Sequence, residues 1–593
     1  MALTAQQRDA QYAQAEELFF KEGALGGFAK GLFFGLFNSE IVFPYPQLAE
    51  KELDITAKKV AELKNFCEKH VDSVAIDKNC EIPQSVIDGL GAIGVLGAAV
   101  PAEYGGLGLG QYAYCKMLEV VGGADASLGI FVNAHHSIGC RSLILEGNQE
   151  QRERFLRDVV KGKKIAAFAL TEPEAGSDAG NVQTTATPTE DGSAYIINGF
   201  KHYITNGGFA SVLTVIARTP KADGKGDEIT GFLVTPDMPG FEVVLKNHLK
   251  CGVRGTMQAK LRFTNMRVPK ENIVGKLGRG LKLGLSVLNF GRTTFGACCT
   301  GAAKVCVEAA ARHANTRKQF GQTLGEFEMV KKKLANMAAE TFATESATYV
   351  CAGLIDKGSS DYMLETAMLK VWASDSLWRT VNDCIQIFGG KAYFSDEPYE
   401  RMMRDARINQ IGEGANDVMR QFIAMYGFGT VGKIVDNALK SPFSGMGALF
   451  KLAGNRLAAR FKDPHVPVKH KELEPYAKEL AQRVKDFGLA VEGALRKHQK
   501  AILDKEYVQE RMADACIEIF NSACVLSRLD SELSSQAPDI NKNLPVGTFY
   551  LKVANRRIKA NLAAMNDNDD EATTVAANLV LDQYKASVTN GKH

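Results

Sequence analysis

The sequence has few of the features that mark specialised classes of protein. Among its 593 residues the net charge is only +3, so no bulk field favours nucleic acid and no such partner is expected. The 12 cysteines form no CxxC pair and no zinc-spaced set with histidine, and no acid is spaced to help the adjacent His135 and His136. No metal site is therefore predicted. No strand leads into a GxGxxG turn, and the glycine run at 105–110 is interpreted as a loop, so a Rossmann site is not expected.

Targeting signals are also scarce. The first residues carry Asp9, Glu16 and Glu17 and lack the basic start and apolar core of a secretory signal. The same acids argue against a mitochondrial transit peptide. The apolar segment at 26–37 is broken by Lys30 and is too short to span a bilayer. Together with the scattered cysteines, this predicts a protein of a reducing compartment, such as the cytoplasm or the mitochondrial matrix.

The spacing of apolar residues changes along the chain. Apolar residues recur at helical spacing, then give way to short alternating runs between turn residues, and then the helical period returns. Runs of one element type predict separate layers rather than a doubly wound sheet, so the fold class is α+β with a small antiparallel β-domain. The predicted divisions are an extension at 1–49, a helical domain at 50–164, the β-domain at 165–277, a helical region at 278–430 and a further helical domain at 431–593, broken at 534–546 and 567–571.

Two stretches of the β-domain could face an anionic or flat ligand. After Phe168 a strand runs into a turn rich in small residues, which exposes backbone N–H groups and the Thr171 and Ser177 hydroxyls. Further along, Tyr203 is followed by Thr205, so that a ring could stack on a flat ligand while a hydroxyl donates one hydrogen bond. In isolation, an ordinary turn explains the first stretch equally well, and a hairpin with a core tyrosine is the simpler interpretation of the second.

Two further motifs lie in the helical region at 278–430. Arg317 begins the sequence RKQFG at the end of a helix, where its forked donors suit a pyrophosphate, although a surface arginine is the simpler interpretation. Glu413 stands between two glycines in the sequence IGEGAND. Loss of hydration raises the pKa of such a carboxylate and makes it a better base near neutral pH, while the glycines allow a ligand to approach closely. A glutamate beside glycine also fits a plain turn.

In this order, the motifs resemble the acyl-CoA dehydrogenase family over residues 50–430. The two family signatures resemble residues 169–181 and 386–405. Tyr203 and Ala415 replace a common tryptophan and a common threonine, which predicts altered flavin packing rather than lost chemistry. The sequences VFPYP at 42–46 and AHHSIG at 134–139, with the C-terminal helical region, are similar to the very-long-chain branch, which carries an extra domain and is associated with membranes.

The resemblance implies a four-helix bundle at 278–430 and the conversion of a long or very long fatty acyl-CoA to a trans-2-enoyl-CoA. Glu413 would remove the α-proton while the β-hydrogen leaves as hydride to N5 of FAD, and electrons would pass to an electron-transfer flavoprotein. Arg317 would contact FAD across a subunit interface, which implies at least a homodimer. The residues implied for FAD are Phe168, Ala169, Leu170, Thr171, Gly176, Ser177, Tyr203, Ile204, Thr205, Arg317, Gln319, Phe320, Gln386, Ile387, Phe388, Gly389, Gly390, Ala415, Asn416 and Asp417. Those implied for acyl-CoA are Ser177, Asn289, Phe290, Gly291, Arg292, Gly412 and Gly414.

Several alternatives stay open at this point. An acyl-CoA oxidase shares the fold, FAD and the glutamate but passes electrons to oxygen, and a non-catalytic assembly or scaffold protein could use the same fold. Acyl length depends on a pocket floor expected near 129–139, where Asn133 is bulky for a very long tail. Residues 441–462 place Leu449 and Phe450 on an apolar face flanked by cations, which fits a helix at a membrane surface and equally a helix packed on its own domain.

Overall fold

The computed structural model describes residues 27–221, 223–440 and 464–585. The helical domain predicted at 50–164 is present, and its helices bury Leu63, Leu90 and Leu118 completely. Helical spacing of these apolar residues gives each helix one face that must be covered. The helices up to residue 159 are α1 (Phe28–Leu32), α2 (Ser39–Val42), α3 (Leu53–His70), α4 (Ser73–Asn79), α5 (Gln84–Ile93), α6 (Gln111–Ala124), α7 (Ala126–Val132), α8 (Arg141–Glu146) and α9 (Gln149–Val159), with a π-helical segment at Asn133–Cys140 between α7 and α8.

The apolar stretch near the N-terminus lies in the protein core. In α1 and just beyond it, the rings of Phe28 and Phe33 are buried, with centroids 5.7 Å from Phe520 and 5.2 Å from Phe487. The backbone N–H of Ala29 donates to the buried carboxylate of Glu365 at 2.9 Å. This segment therefore joins the helical region at 278–430 to the C-terminal domain.

The β-domain is one mixed sheet with the strand order β1-β4-β2-β3-β7-β6, and β5 pairs with β4. Its strands are β1 (Ala166–Ala169), β2 (Thr185–Pro188), β3 (Ala194–Thr205), β4 (Val212–Pro220), β5 (Asp227–Val234), β6 (Phe241–Leu245) and β7 (Gln258–Pro269). Most pairings are antiparallel as predicted, but β1 and β2 pair with β4 in parallel. The alternation of apolar and polar residues within a strand does not show which strand pairs with it or in which direction. The parallel partners of β4 are joined to it by long connections rather than by tight turns, so no turn in the sequence indicates the pairing.

The bundle predicted at 278–430 consists of four long helices and one short one. They are α10 (Gly280–Thr316), α11 (Glu328–Asp356), α12 (Met363–Phe388), α13 (Tyr399–Arg407) and α14 (Asn416–Lys440), with a small hairpin of β8 (Lys318–Gln319) and β9 (Gln322–Thr323) after α10. Small residues let the helices cross closely. A Cβ atom at Gly301 of α10 would collide with the carbonyl oxygen of Glu119 of α6, so glycine fixes the distance between these two domains.

The C-terminal helical domain packs against the bundle. Its described residues form the helices α15 (Glu474–His498), α16 (Glu506–Ser534), α17 (Ile540–Ala563) and α18 (Asp570–Tyr584). The break predicted at 534–546 is shorter than expected, because α17 begins before Pro545 and keeps it inside the helix. Burial of Tyr550 and Leu551 on the same helix offsets the backbone hydrogen bond that proline removes. Residues 441–462 lie outside the described residues, and no helix in the described part has the length and hydropathy to cross a membrane.

Candidate active site

Glu413 lies in the turn that precedes α14. Its φ is 56° and that of Gly414 is 98°, so two consecutive residues have left-handed backbone. This conformation suits glycine but is uncommon for glutamate, so the surroundings must hold the turn in place. The side chain of the glutamate is thereby directed into the protein, while the flanking Gly412 and Gly414 add no side chain around it.

A buried lysine that the sequence analysis did not single out holds this turn. Lys370 of α12 has no solvent exposure, and its Nζ donates to the carbonyl oxygen of Gly414 at 2.6 Å and to Oδ1 of Asn416 at 2.9 Å. Nδ2 of Asn416 donates in turn to Ser374 and Asp375. The side chain of Asn416 is thus committed to the protein. Burial lowers the pKa of Lys370 to about 8. A lysine within the apolar sequence AMLKVWA was the available signal.

The two oxygens of the Glu413 carboxylate differ in their hydrogen bonds. Oε1 accepts a hydrogen bond of 2.8 Å from Nδ2 of Asn133, and Oε2 is buried without a hydrogen-bond partner among the described residues. Burial raises the pKa of Glu413, while the charges of Lys370 and Arg292 and the amide of Asn133 act in the opposite direction. A desolvated carboxylate with a free oxygen is equipped to accept a proton.

Two of the residues predicted for acyl-CoA on α10, Gly291 and Arg292, lie close to this carboxylate. A Cβ atom at Gly291 would lie 3.3 Å from Oε2 of Glu413, so glycine keeps a side chain away from that oxygen. Asn289, Phe290 and Arg292 are buried, and Nη1 of Arg292 donates to Oδ1 of Asn289 at 3.3 Å. Burial lowers the pKa of Arg292 to about 10.

The β-domain residues predicted for FAD form a second group. The ring of Phe168 lies against Gly284 of α10, two turns from Gly291, which places the end of β1 about 10 Å from the level of Glu413 along that helix. Lys201 donates to the carbonyl oxygen of Leu170 at 2.9 Å and forms a buried ion pair of 2.7 Å with Glu172. The segment Phe168–Thr171 is therefore fastened to β3. The side chains of Ala169 and Ile204 are in the core, while Gly176 and Ser177 lie in the exposed loop that follows.

Tyr203 presents its ring at the surface of this group. Its φ is 57° and its side chain is 54% exposed, although it belongs to a strand. The ring stacks on His202 with a centroid distance of 3.8 Å, and His248 adds a third parallel ring at 5.8 Å from Tyr203. Thr205 lies two residues further on and accepts a hydrogen bond from Gln258 at 3.4 Å.

A third set of predicted residues lies at the opposite end of the bundle. From Gly291 to Arg317 the helix α10 rises by about 39 Å. Phe388, at the end of α12, stacks on His313 of α10 with a centroid distance of 4.1 Å, so the segments 317–320 and 386–390 lie together. Arg317, Gln319, Phe320, Gln386, Gly389 and Gly390 are exposed there, whereas the side chain of Ile387 is buried. Within one copy of the chain, these residues are therefore far from Glu413.

The histidines and cysteines take part in packing. Nδ1 of His135 accepts from the backbone N–H of Ala166, and Nε2 of His136 accepts from that of Ala99. Burial lowers the pKa of His135 to about 4. All cysteines are free thiols, and among the residues that the structure describes no group of three or more histidine, cysteine and acidic side chains could hold a metal ion.

Comparison with known proteins agrees with this arrangement. Family models match three consecutive parts of the chain: "Acyl-CoA dehydrogenase, N-terminal domain" at 57–163, "middle domain" at 167–266 and "C-terminal domain" at 278–427. The model "ACAD9/ACADV, C-terminal domain" matches 471–584. The chain is 34% identical over 556 residues to the mitochondrial very long-chain specific acyl-CoA dehydrogenase of Bos taurus, which covers 92% of this chain and 85% of the relative.

Solved structures agree as well. The acyl-CoA dehydrogenase of Bacillus anthracis complexed with FAD superposes with a TM-score of 0.77 at 27% identity, covering 92% of this chain and 94% of that one. A chain of the electron transferring flavoprotein structure from Acidaminococcus fermentans is 35% identical with a TM-score of 0.60, covering 64% of this chain and 98% of that one. The predicted fold class, FAD as cofactor and the similarity to the very-long-chain branch are thereby confirmed. This chain belongs to the acyl-CoA dehydrogenase family, and it is an FAD-binding oxidoreductase that acts on acyl-CoA.

Proposed function

We propose that the protein dehydrogenates a long or very long fatty acyl-CoA to the trans-2-enoyl-CoA, with Glu413 as the base that removes the α-proton. The observation that carries this proposal is the desolvated carboxylate of Glu413, whose Oε2 has no hydrogen-bond partner among the described residues and lies next to Gly291. Similarity to a very long-chain specific enzyme supports the acyl length.

The protein's part in this reaction is the handling of one proton and of the charge that its loss creates. Glu413 is a poor base in water, and burial makes the proton transfer to it more favourable. The backbone N–H of Glu413 would donate to the thioester oxygen, which gains negative charge as the α-proton leaves. Lys370 and Arg292 supply positive charge that favours the ionised form of the carboxylate and so opposes the effect of burial. Bound FAD supplies the acceptor for the β-hydrogen, which leaves as hydride.

Three features of the chain fit FAD. The exposed ring of Tyr203 is a surface on which a flat heterocycle can stack. A Cβ atom at Gly176, Gly389 or Gly390 would meet no protein atom within 4 Å, so these backbones border open space in which a ligand can approach. Arg317 is exposed beside Gln386 and Gly389, where its guanidinium can bind a pyrophosphate. Ala415 and Asp417 flank Asn416 near Glu413 and remain proposed contacts.

We also propose that two copies of the chain share each FAD. Within one chain, Arg317 lies about 39 Å along α10 from Gly291, and Phe320 follows it, so they serve the FAD bound beside Glu413 of a second copy. Phe320 is 94% exposed, and a neighbouring subunit would cover it. The proposed electron acceptor is an electron-transfer flavoprotein, in keeping with the similarity to a chain of such a protein's structure.

The direct test is anaerobic mixing of purified holoenzyme with acyl-CoAs of increasing length. The proposal predicts bleaching of the yellow flavin, an equivalent amount of trans-2-enoyl-CoA, and the highest rates with long chains. No bleaching with any acyl-CoA would overturn the proposal, and a preference for short chains would overturn the assigned length. Stoichiometric peroxide release in air would instead identify an oxidase, and a colourless protein without flavin would identify a scaffold.

A further inference from the structure

We propose that Asn133 is a positioning residue for the catalytic base, which fixes one oxygen of the Glu413 carboxylate and leaves the other to accept the α-proton. This inference rests on the proposed function, because it assigns a role relative to proton removal by Glu413. Asn133 is the first residue of the π-helical segment Asn133–Cys140. Such widened turns are frequent at functional sites, because they redirect side chains that a regular helix would place elsewhere.

A chain of buried hydrogen bonds leads to the carboxylate. The hydroxyl groups of Tyr114 and Ser137 lie 3.1 Å apart, and that of Ser137 is 2.9 Å from Oγ1 of Thr294. Oγ1 of Thr294 donates to Oδ1 of Asn133 at 2.5 Å, and Nδ2 of Asn133 donates to Oε1 of Glu413 at 2.8 Å. All four supporting side chains are more than nine-tenths buried. This chain of hydrogen bonds links α6, the π-helical segment and α10 to the turn that contains Glu413.

The direction of this chain determines how the asparagine amide is oriented. Because Oδ1 accepts from Thr294, Nδ2 must point to Glu413. The flipped amide would set Oδ1 against a carboxylate oxygen, and two acceptors repel when the carboxylate is ionised. The single proton of the Thr294 hydroxyl goes to Oδ1 of Asn133 at 2.5 Å, because the carbonyl oxygens of Phe290 and Gly291 are farther away, at 3.2 and 3.0 Å. The network therefore selects the amide orientation that stabilises the charged base.

The amide is the neutral donor among several groups that face Glu413. The charged groups are Lys370 and Arg292, and both lower the pKa of the carboxylate that burial raises. The thiols of Cys298 and Cys299 also face it, and burial keeps the pKa of each thiol high. Loss of the amide would leave Oε1 without its donor, so the carboxylate would bind its proton more tightly and would be free to turn.

The test uses holoenzyme carrying Asn133→Leu, which keeps the approximate size of the side chain and removes the donor. The rate of anaerobic flavin bleaching by a saturating acyl-CoA is measured against pH in a stopped-flow instrument. We expect the acid limb of the profile to move to higher pH by about one to two units. A residue that only filled space would lower the rate without moving the limb.

Two threonine variants complete the design. Thr294→Val removes the hydrogen bond to Oδ1 of Asn133. We expect the acid limb to move in the same direction by less than about one pH unit. Thr300→Val is the matched control, because Thr300 is equally buried on α10 but bonds only to the carbonyl oxygen of Gly296 in its own helix. It should leave the limb unmoved. If Asn133→Leu does not retain FAD, the profile of Thr294→Val decides.

The outcomes separate this inference from the proposed function. Bleaching in wild type with an unmoved acid limb in Asn133→Leu and Thr294→Val overturns the positioning role and leaves dehydrogenation intact. An equal shift in Thr300→Val overturns it as well, because the effect would then follow any lost hydroxyl. Absence of bleaching in wild type at every pH overturns the proposed function itself, and the role of Asn133 with it.

Discussion

At the scale of single residues, the proton affinity of Glu413 results from opposing influences. Burial favours the neutral acid, whereas Lys370, Arg292 and Asn133 favour the carboxylate. A base must be ionised before the reaction, so activity falls as pH drops through the raised pKa of Glu413. Each neighbour that opposes burial therefore extends activity toward lower pH.

Lys370 provides the clearest test of this balance. Lys370→Met keeps the length of the side chain but removes its charge and both hydrogen bonds, to Gly414 and Asn416. We expect the pKa of Glu413 to rise further, so that flavin bleaching slows by about ten-fold for each unit of that rise at pH values below it. Stopped-flow rates across pH, with FAD content measured in parallel, check this expectation.

Lys333→Met serves as the control for Lys370→Met. It removes a partly exposed lysine of the same bundle, whose ion pair with Asp383 is 2.5 Å long. Its pH profile should match that of wild type. A profile for Lys370→Met that also matches wild type would contradict the role given to Lys370.

The sequence predicted Glu413 but not the contacts that Asn133 and Lys370 make with its carboxylate and its turn. The glutamate lies between glycines in one short segment, so its local pattern is distinctive. Asn133 is 280 residues away and Lys370 44 residues away from the atoms that they contact, and only the folded chain brings them together. The bonds from the Asn416 side chain to Ser374 and Asp375 likewise join segments that are distant in sequence.

At the scale of secondary-structure elements, the buried ion pair of Lys201 and Glu172 fastens the end of β1 to β3. Burial by itself would raise the pKa of Glu172, but Lys201 and the backbone N–H groups of Gln183 and Thr184 hold it below its usual value. Lys201→Met would leave that carboxylate buried without its cation. We expect a loss of about 3–5 kcal/mol in the free energy of unfolding and weaker FAD retention, measured by denaturant titration and flavin absorbance.

The double variant Lys201→Met/Glu172→Leu tests the cause. Removing both charges should recover much of the stability, because no unpaired charge then remains buried. If the single variant is as stable as wild type, the pair does not hold these strands. The sequence predicted a β-domain at 165–277 from its short alternating runs, but the parallel pairings of β4 depend on contacts between distant segments.

Residues 441–462 lead to a separate prediction at this scale. If their apolar face binds a membrane surface, wild type should float with liposomes of anionic phospholipid and Leu449→Glu/Phe450→Glu should not. Leu579→Glu is the control, since Leu579 is an exposed apolar residue of α18 outside that segment. Equal flotation of wild type and the double variant would defeat the idea of membrane contact.

At the scale of the whole molecule, the proposed FAD contacts divide between two ends of the bundle. A second copy of the chain must then complete each site. Phe320→Ser should convert a dimer to monomers and reduce FAD retention, as measured by light scattering and flavin content. Leu249→Ser is the control, because Leu249 is also highly exposed, at 80%, but lies in the β-domain. A wild-type monomer that retains FAD would contradict the shared site.

The order of domains could be predicted from the sequence because each domain has its own periodicity over many residues. Packing between distant segments could not be predicted. The rings of Phe28 and Phe33 reach Phe520 and Phe487 across most of the chain, and no local pattern specifies such partners.

The central claim is that one desolvated carboxylate, Glu413, removes the α-proton. It is tested most directly by the single-turnover bleaching rate of Glu413→Gln holoenzyme with a long-chain acyl-CoA. We expect the variant to keep its yellow flavin and to bleach at least about 1,000-fold more slowly than wild type, because the amide cannot accept the proton. Bleaching at the wild-type rate would show that another group is the base.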